Sequence, residues 1–181
     1  MTDLGIFYAI YGLAHRIPFV DWLGIFFAQY FPYIVVVLFI FAVLRQAAEW
    51  RHRLFDFFSA ALSLLLARGV VTEIIRFFIR RPRPFDVVDV TPLIGAPESA
   101  AFPSGHASFL FALAFSILFF QGDHWSRGKK ERVGALFCAA ALLVGAARVF
   151  AGVHWPLDIA GGMAVGLLSA FVVHLLLPKF H

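Results

Sequence analysis

Long apolar runs decide what this chain can fold into. Residues 23–44 form a run of 22 residues, about 33 Å long as an α-helix, enough to cross the roughly 30 Å hydrocarbon core of a bilayer. Trp22 stands at its start, where interfacial aromatic rings settle. Further apolar runs follow at 54–79, 104–120, 133–151 and 155–177. The chain is 61% apolar and only 14% charged, against about a quarter charged in soluble domains. The expectation is an all-α integral membrane helical bundle of about five transmembrane helices, forming one domain over residues 1–181. Residues 4–14 are apolar but too few to span, so they read as a short interfacial helix, with a sixth span as the alternative. A signal peptide is not expected there, because the stretch has neither a basic leader nor a small-residue cleavage site.

The same balance excludes other classes. The arginines form no solvent-facing basic stripe, so nucleic acid is not an expected partner. Cys138 is the sole cysteine, which rules out an internal disulfide and a cysteine-based metal cluster. Glycines at 134, 145, 161, 162 and 166 are placed to let the last two helices approach their neighbours closely.

The second run carries Asp56, Arg68, Glu73 and Arg76, and ionisable groups inside a span are costly unless they pair or serve function. Glu73 and Arg76 are well spaced for a helical pair, whereas Arg68 and Glu73, five residues apart, are poorly spaced for an α-helix. The connection 80–103 is broken by Pro82, Pro84, Pro92, Pro97 and Pro103 and reads as a loop. The connections 45–53 and 127–132 carry seven basic residues and fall on one membrane face, which the positive-inside tendency makes cytoplasmic. Three polar stretches then share the opposite face.

The first stretch is Arg76, then Arg83 and Pro84 after six intervening residues. Two guanidiniums at a helix end can grip phosphate oxygens through paired hydrogen bonds, although such a cluster alone also suits simple anchoring. Arg80 and Arg81 read as anchors to lipid head groups. The second is Pro103, Ser104, Gly105 and His106 ahead of an apolar run, a helix N-terminus whose free N–H groups face an anion. Ser104 can cap, Gly105 lets the backbone come close to a phosphate, and His106 in the first turn can supply a proton; an ordinary serine cap with an incidental histidine fits equally well. In the third, Arg148 precedes His154 and Asp158, with Pro156 opening the last helix. A carboxylate one turn from a histidine can hold its tautomer, and an arginine beside it suits a phosphoryl-transfer nucleophile; a short polar loop between helices is the plain alternative.

Together, in this order and at helix ends, the three stretches resemble the signature motifs of the lipid phosphate phosphatase superfamily, the type-2 phosphatidic acid phosphatases. The resemblance covers roughly residues 68–162. It implies that His154 attacks phosphorus to form a phosphohistidine, that Asp158 holds its ring, and that His106 protonates the leaving oxygen. Arg76, Arg83, Ser104, Gly105 and Arg148 would bind the phosphoryl oxygens, with no metal and no cofactor. Two positions depart from the pattern: Arg76 stands where lysine is usual, and Ala147 stands where serine is usual before the arginine of the third motif. Arginine keeps the charge, while Ala147 removes one hydroxyl contact to phosphate. A neutral His154 and a protonated His106 would make the pH–rate profile bell-shaped.

The compact form and the run from Arg76 to Phe85 are similar to the bacterial undecaprenyl-pyrophosphate phosphatases of this superfamily. That implies a multi-pass protein of the bacterial inner membrane, with its site on the extracytoplasmic face and an isoprenoid diphosphate in the bilayer as substrate. Phosphatidylglycerophosphate and phosphatidic acid are the alternative substrates. A non-catalytic lipid-phosphate binding or transport protein is the alternative of another class, opposed by the presence of both His106 and the His154–Asp158 pair. Soluble vanadium haloperoxidases have a similar anion pocket, and the hydropathy argues against them. Asp86 and Glu98 read as solvated loop charges, and His15, His52, His124, His174 and His181 as interfacial or exposed.

Overall fold

The computed structural model describes residues 2–46, 48–95, 99–120 and 128–177, and the regular structure among them is entirely helical. Glu98, Arg127, His124 and His181 lie outside the described residues. A short helix α1 (Asp3–Tyr11) precedes two long ones, α2 (Pro18–Leu44) and α3 (Trp50–Phe78). A single turn α4 (Pro84–Val87) follows, then α5 (Gly105–Phe119), α6 (Lys129–Phe150) and α7 (Pro156–Leu176). Four of these, α2, α3, α6 and α7, are long and apolar enough to cross a membrane, and α5 is a shorter apolar helix. The protein is a multi-pass membrane protein.

Helix α5 is short because it is the centre of the bundle. Its 15 residues span about 23 Å, less than a bilayer core, but its neighbours sheathe it on most sides. Leu110, Phe111, Leu113 and Ile117 are each about 1% exposed, so what α5 faces is mainly protein and not lipid. Helix α7 lies against it backbone to backbone. A Cβ on Gly166 would sit 2.6 Å from the Ala112 nitrogen, and one on Gly162 would sit 2.7 Å from the Ser104 oxygen. Without a hydrophobic drive between helices in lipid, such close contact is what holds them. Phe41, Phe58, Leu136 and Leu168 point outward from the other helices, as lipid-facing side chains do.

Both α2 and α3 loosen into π-helical turns, at Phe26–Tyr30 and Leu65–Val71. The first is explained by Pro32, which has no N–H to give to the carbonyl four residues back and whose ring crowds that carbonyl. The second corrects the expectation from spacing. Arg68 and Glu73 do form an ion pair, because a π turn brings residues five apart onto one face.

Two helices at the site end start in the same way. In α4 and α7 a proline occupies the first turn and an aspartate reaches back to the N-cap amide. Asp86 Oδ2 accepts from Arg83 N at 3.0 Å, and Asp158 Oδ2 from Trp155 N at 2.8 Å. Asp86 is thus exposed, as expected, and also serves as a cap. The nine-residue α1 does not span; it packs onto this end of the bundle. Phe7 is fully buried, its ring 4.9 Å from that of Trp155. Asp3 Oδ1 accepts from Leu157 N at 2.9 Å.

Candidate active site

The three polar stretches converge. Ser104 N donates to the Asp158 carbonyl at 2.9 Å, joining the start of α5 to the first turn of α7. Trp155 Nε1 donates to Pro82 O at 3.0 Å and Ala101 N to Arg81 O at 2.8 Å, which fastens the loop after α3 to both. Gly152, at φ 76°, takes the left-handed turn that a residue with a side chain rarely adopts, and so swings the chain from α6 into α7.

These ties frame a cavity of about 480 Å³. Pro32, Tyr33 and Val36 of α2 line it, with Arg68, Glu73 and Arg76 of α3. Gly105, His106, Phe109 and Leu110 of α5 and Arg148 of α6 complete the helical wall; Arg83, Ser99 and His154 come from loops. The expected residues Arg76, Arg83, Gly105, His106, Arg148 and His154 thus share one cavity. Ser104 and Asp158 are fully buried behind it.

His154 Nδ1 lies 3.3 Å from Asp158 Oδ2, which leaves Nε2 as the ring nitrogen with an unshared lone pair. Burial first, then the positive fields of Arg148, Arg83 and Arg76, hold this imidazole well below its ordinary value of about 6.5. It is therefore neutral at pH 7. Arg148 Nη1 lies 3.4 Å from His106 Nε2, a contact in which the guanidinium donates and the imidazole accepts. His106 is thus arranged as an acceptor.

The guanidiniums differ in how many of their five N–H donors remain. All three nitrogens of Arg83 donate to protein: Nη1 to Val153 O at 2.9 Å, Nε to Ser99 O at 3.1 Å, and Nη2 to Ser99 Oγ at 3.3 Å. Burial lowers its pKa, with Asp158 and Asp86 opposing, and it stays a cation. Arg76 gives Nε and Nη2 to Pro103 O, at 3.2 and 3.0 Å, and Nη1 to Glu73 at 3.5 Å. Arg148 gives Nη1 to Ala28 O at 3.1 Å, and its Nε has no hydrogen-bond partner among the described residues. Of these three, Arg148 thus has the most to offer an anion. Its acceptor, Ala28 O, is the carbonyl that Pro32 cannot serve.

Three residues here depart from what local sequence implies, or carry no local signal. Arg81 is not an anchor to lipid head groups: it forms ion pairs with Asp158, at 2.8 Å, and with Asp3. Asp3 carries no sequence signal, since nothing local links it to a residue on α7. Gly105 is expected to make room for a phosphate, but a Cβ there would meet Arg68 Nε at 2.6 Å. The space it leaves is taken by Arg68. Ser104 acts as the expected cap, its Oγ accepting from Ala107 N at 3.5 Å. His15 is exposed, as expected, and its Nε2 lies 2.9 Å from Thr91 O. Among the described residues no three His, Cys, Asp or Glu side chains gather as metal ligands.

Comparison with known proteins supplies the context for this geometry. The model of the PAP2 superfamily matches residues 56–181. Undecaprenyl-diphosphatase BcrC of Bacillus subtilis is 27% identical over 169 residues, 92% of this chain and 80% of that protein. Phosphatidylglycerophosphatase B of the same organism is 33% identical over 117 residues, 62% of this chain and 55% of its own length. Among solved structures, Aquifex aeolicus LpxE superimposes with a TM-score of 0.71 at 27% identity, covering 94% of this chain and 93% of that one.

Proposed function

The chain belongs to the PAP2 superfamily and is a membrane phosphatase acting on lipid phosphates; from that premise we propose that it hydrolyses undecaprenyl pyrophosphate to undecaprenyl phosphate and inorganic phosphate. One observation carries the catalytic part. A neutral His154, its Nδ1 held at 3.3 Å by Asp158, faces a cavity that also holds His106 and the guanidiniums of Arg76, Arg83 and Arg148.

In this reading His154 Nε2 attacks the terminal phosphorus, and the bond from phosphorus to the bridging oxygen breaks. Arg148, Arg76 and Arg83, with the amide of Gly105 at the α5 N-terminus, hold the phosphoryl oxygens as their charge redistributes. Ser104 orders that N-terminus. The substrate's negative charge offsets the arginine fields, so His106 takes up a proton on binding and passes it to the leaving oxygen. Water then attacks the phosphohistidine, His106 accepts the water's proton, and phosphate departs from a regenerated neutral His154. The imidazolium character that His154 gains during attack is balanced by Asp158. Ala147 contributes no hydroxyl, so the phosphate contacts in this chain fall to arginines and amides.

The preference for an isoprenoid diphosphate rests on similarity to undecaprenyl-diphosphatase BcrC over most of both chains. The apolar wall of Tyr33, Val36, Phe109 and Leu110 suits any long lipid tail. The site's placement on the extracytoplasmic face of a bacterial inner membrane rests on the basic residues Arg45, Arg51 and Arg53 at the other end of α2 and α3.

The test is phosphate release by purified protein in detergent with a chelator, comparing undecaprenyl pyrophosphate, phosphatidylglycerophosphate and phosphatidic acid. We expect the diphosphate to be turned over fastest and His154→Ala to lose at least about a thousandfold in kcat. Equal rates on all three would leave a broad lipid phosphatase. Binding without chelator-resistant release would make the chain a lipid-phosphate binding protein.

A further inference from the structure

Arg68 is a cation lining the cavity that none of the three polar stretches supplies. It sits inside a membrane-spanning helix, where an arginine is costly and needs a reason. The π turn at Leu65–Val71 carries it, and Gly105 makes room for its side chain at the start of α5. Glu73 pairs with it, but the same Glu73 oxygen also takes Arg76, so one carboxylate serves two guanidiniums and positive charge is left over.

Its position relative to the two histidines matters. Arg83 reaches the Val153 carbonyl, beside His154, where the attacked phosphorus must lie. Arg68 instead runs along Gly105, next in sequence to His106, the residue we assign to the leaving oxygen. When the substrate is a phosphate monoester, the group leaving there is an uncharged alcohol. When it is a diphosphate, that group is itself an anionic phosphate. A cation on this side discriminates between the two.

We propose that Arg68 is the binding residue for the second, lipid-attached phosphate, and that it sets this site's preference for lipid diphosphates over lipid monophosphates. The inference rests on the phosphatase reading above and deepens it. Charge-assisted, forked contacts from Arg68 to the retained phosphate strengthen as the bridging bond breaks and charge accumulates there.

The experiment pairs a polyprenyl diphosphate with the monophosphate of the same chain length, using wild type, Arg68→Gln and Arg68→Lys in detergent. For Arg68→Gln the expected loss in kcat/KM is about 30-fold on the diphosphate and under about threefold on the monophosphate. Arg68→Lys keeps the charge without the fork and should fall between. A second readout is competitive inhibition: the variant should lose about tenfold in affinity for inorganic pyrophosphate while inhibition by inorganic phosphate is unchanged. Equal losses on both substrates, or none on either, overturn the assignment while the phosphatase reading stands. Wild type that turns over monophosphates but no diphosphate overturns the substrate reading and this assignment together.

Discussion

The two π turns of this bundle put polar groups at the same cavity by opposite means. At Phe26–Tyr30 the contribution is backbone: Pro32 cannot donate to Ala28 O, and that carbonyl instead receives Arg148 Nη1 at 3.1 Å. At Leu65–Val71 it is a side chain: the wider turn aligns Arg68 with Glu73 and directs both to the cavity. One turn orients a cation brought by another helix, and the other brings its own. The difference teaches where specificity is expected. Arg148 lies beside His106 and contributes to the field on His154, so it is expected to matter for every substrate. Arg68 lies to one side and acts on those with a second phosphate.

The harshest way to break the comparison is Arg148→Ala. It removes the motif arginine with most uncommitted donors and leaves Ala28 O without its partner. We expect kcat/KM to fall by about a thousandfold on monophosphates and diphosphates alike, measured by phosphate release. A loss confined to diphosphates would reverse the roles of the two arginines. Next in size, Pro32→Ala restores an N–H that can compete for Ala28 O. The expected outcome is a drop of about tenfold in kcat with little change in KM, while thermal stability in detergent holds or rises because a helix-interior proline is gone. Lost stability would mean that Pro32 serves packing and not Arg148.

The smallest expected effect, and the sharpest, is on pH. His154 is held below its ordinary value chiefly by burial and then by Arg148, Arg83 and Arg76, with no large contribution from Arg68. The acid limb of kcat/KM should therefore lie below pH 6.5 and move to higher pH in Arg83→Gln, while Arg68→Gln leaves it in place. The same depression has a stability consequence of fixed sign. Above about pH 6.5 His154 is neutral in both folded and unfolded chains; below it the unfolded chain binds a proton that the folded one resists. Native stability should thus decline as pH falls from 6.5, by up to about 1.4 kcal/mol per unit from this group, readable as a falling Tm.

Much of the site is legible in the sequence. His154 and Asp158 are four residues apart across a helix start, and Ser104 to His106 mark another, so local rules place them at helix entrances. Arg81 and Arg68 are not legible in the same way. An arginine next to a membrane helix looks the same whether it meets lipid or a carboxylate, and only packing of α1 brings Asp3 to Arg81. The spacing of Arg68 and Glu73 argues against a pair only if an α-turn joins them, and a π turn leaves no strong mark in sequence.

By itself the sequence determined that this chain is a bundle of apolar helices in a membrane, because lipid leaves the backbone few other ways to satisfy its hydrogen bonds and the apolar runs set the number of helices. It also determined that the three motifs stand at helix ends, since helix starts and short separations are local. The tertiary structure alone decided that α5 is sheathed at the centre, that Ala28 O receives Arg148, and that Gly105 yields its space to Arg68. Those facts depend on which helix faces meet, and small residues and opened turns permit such meetings without specifying them.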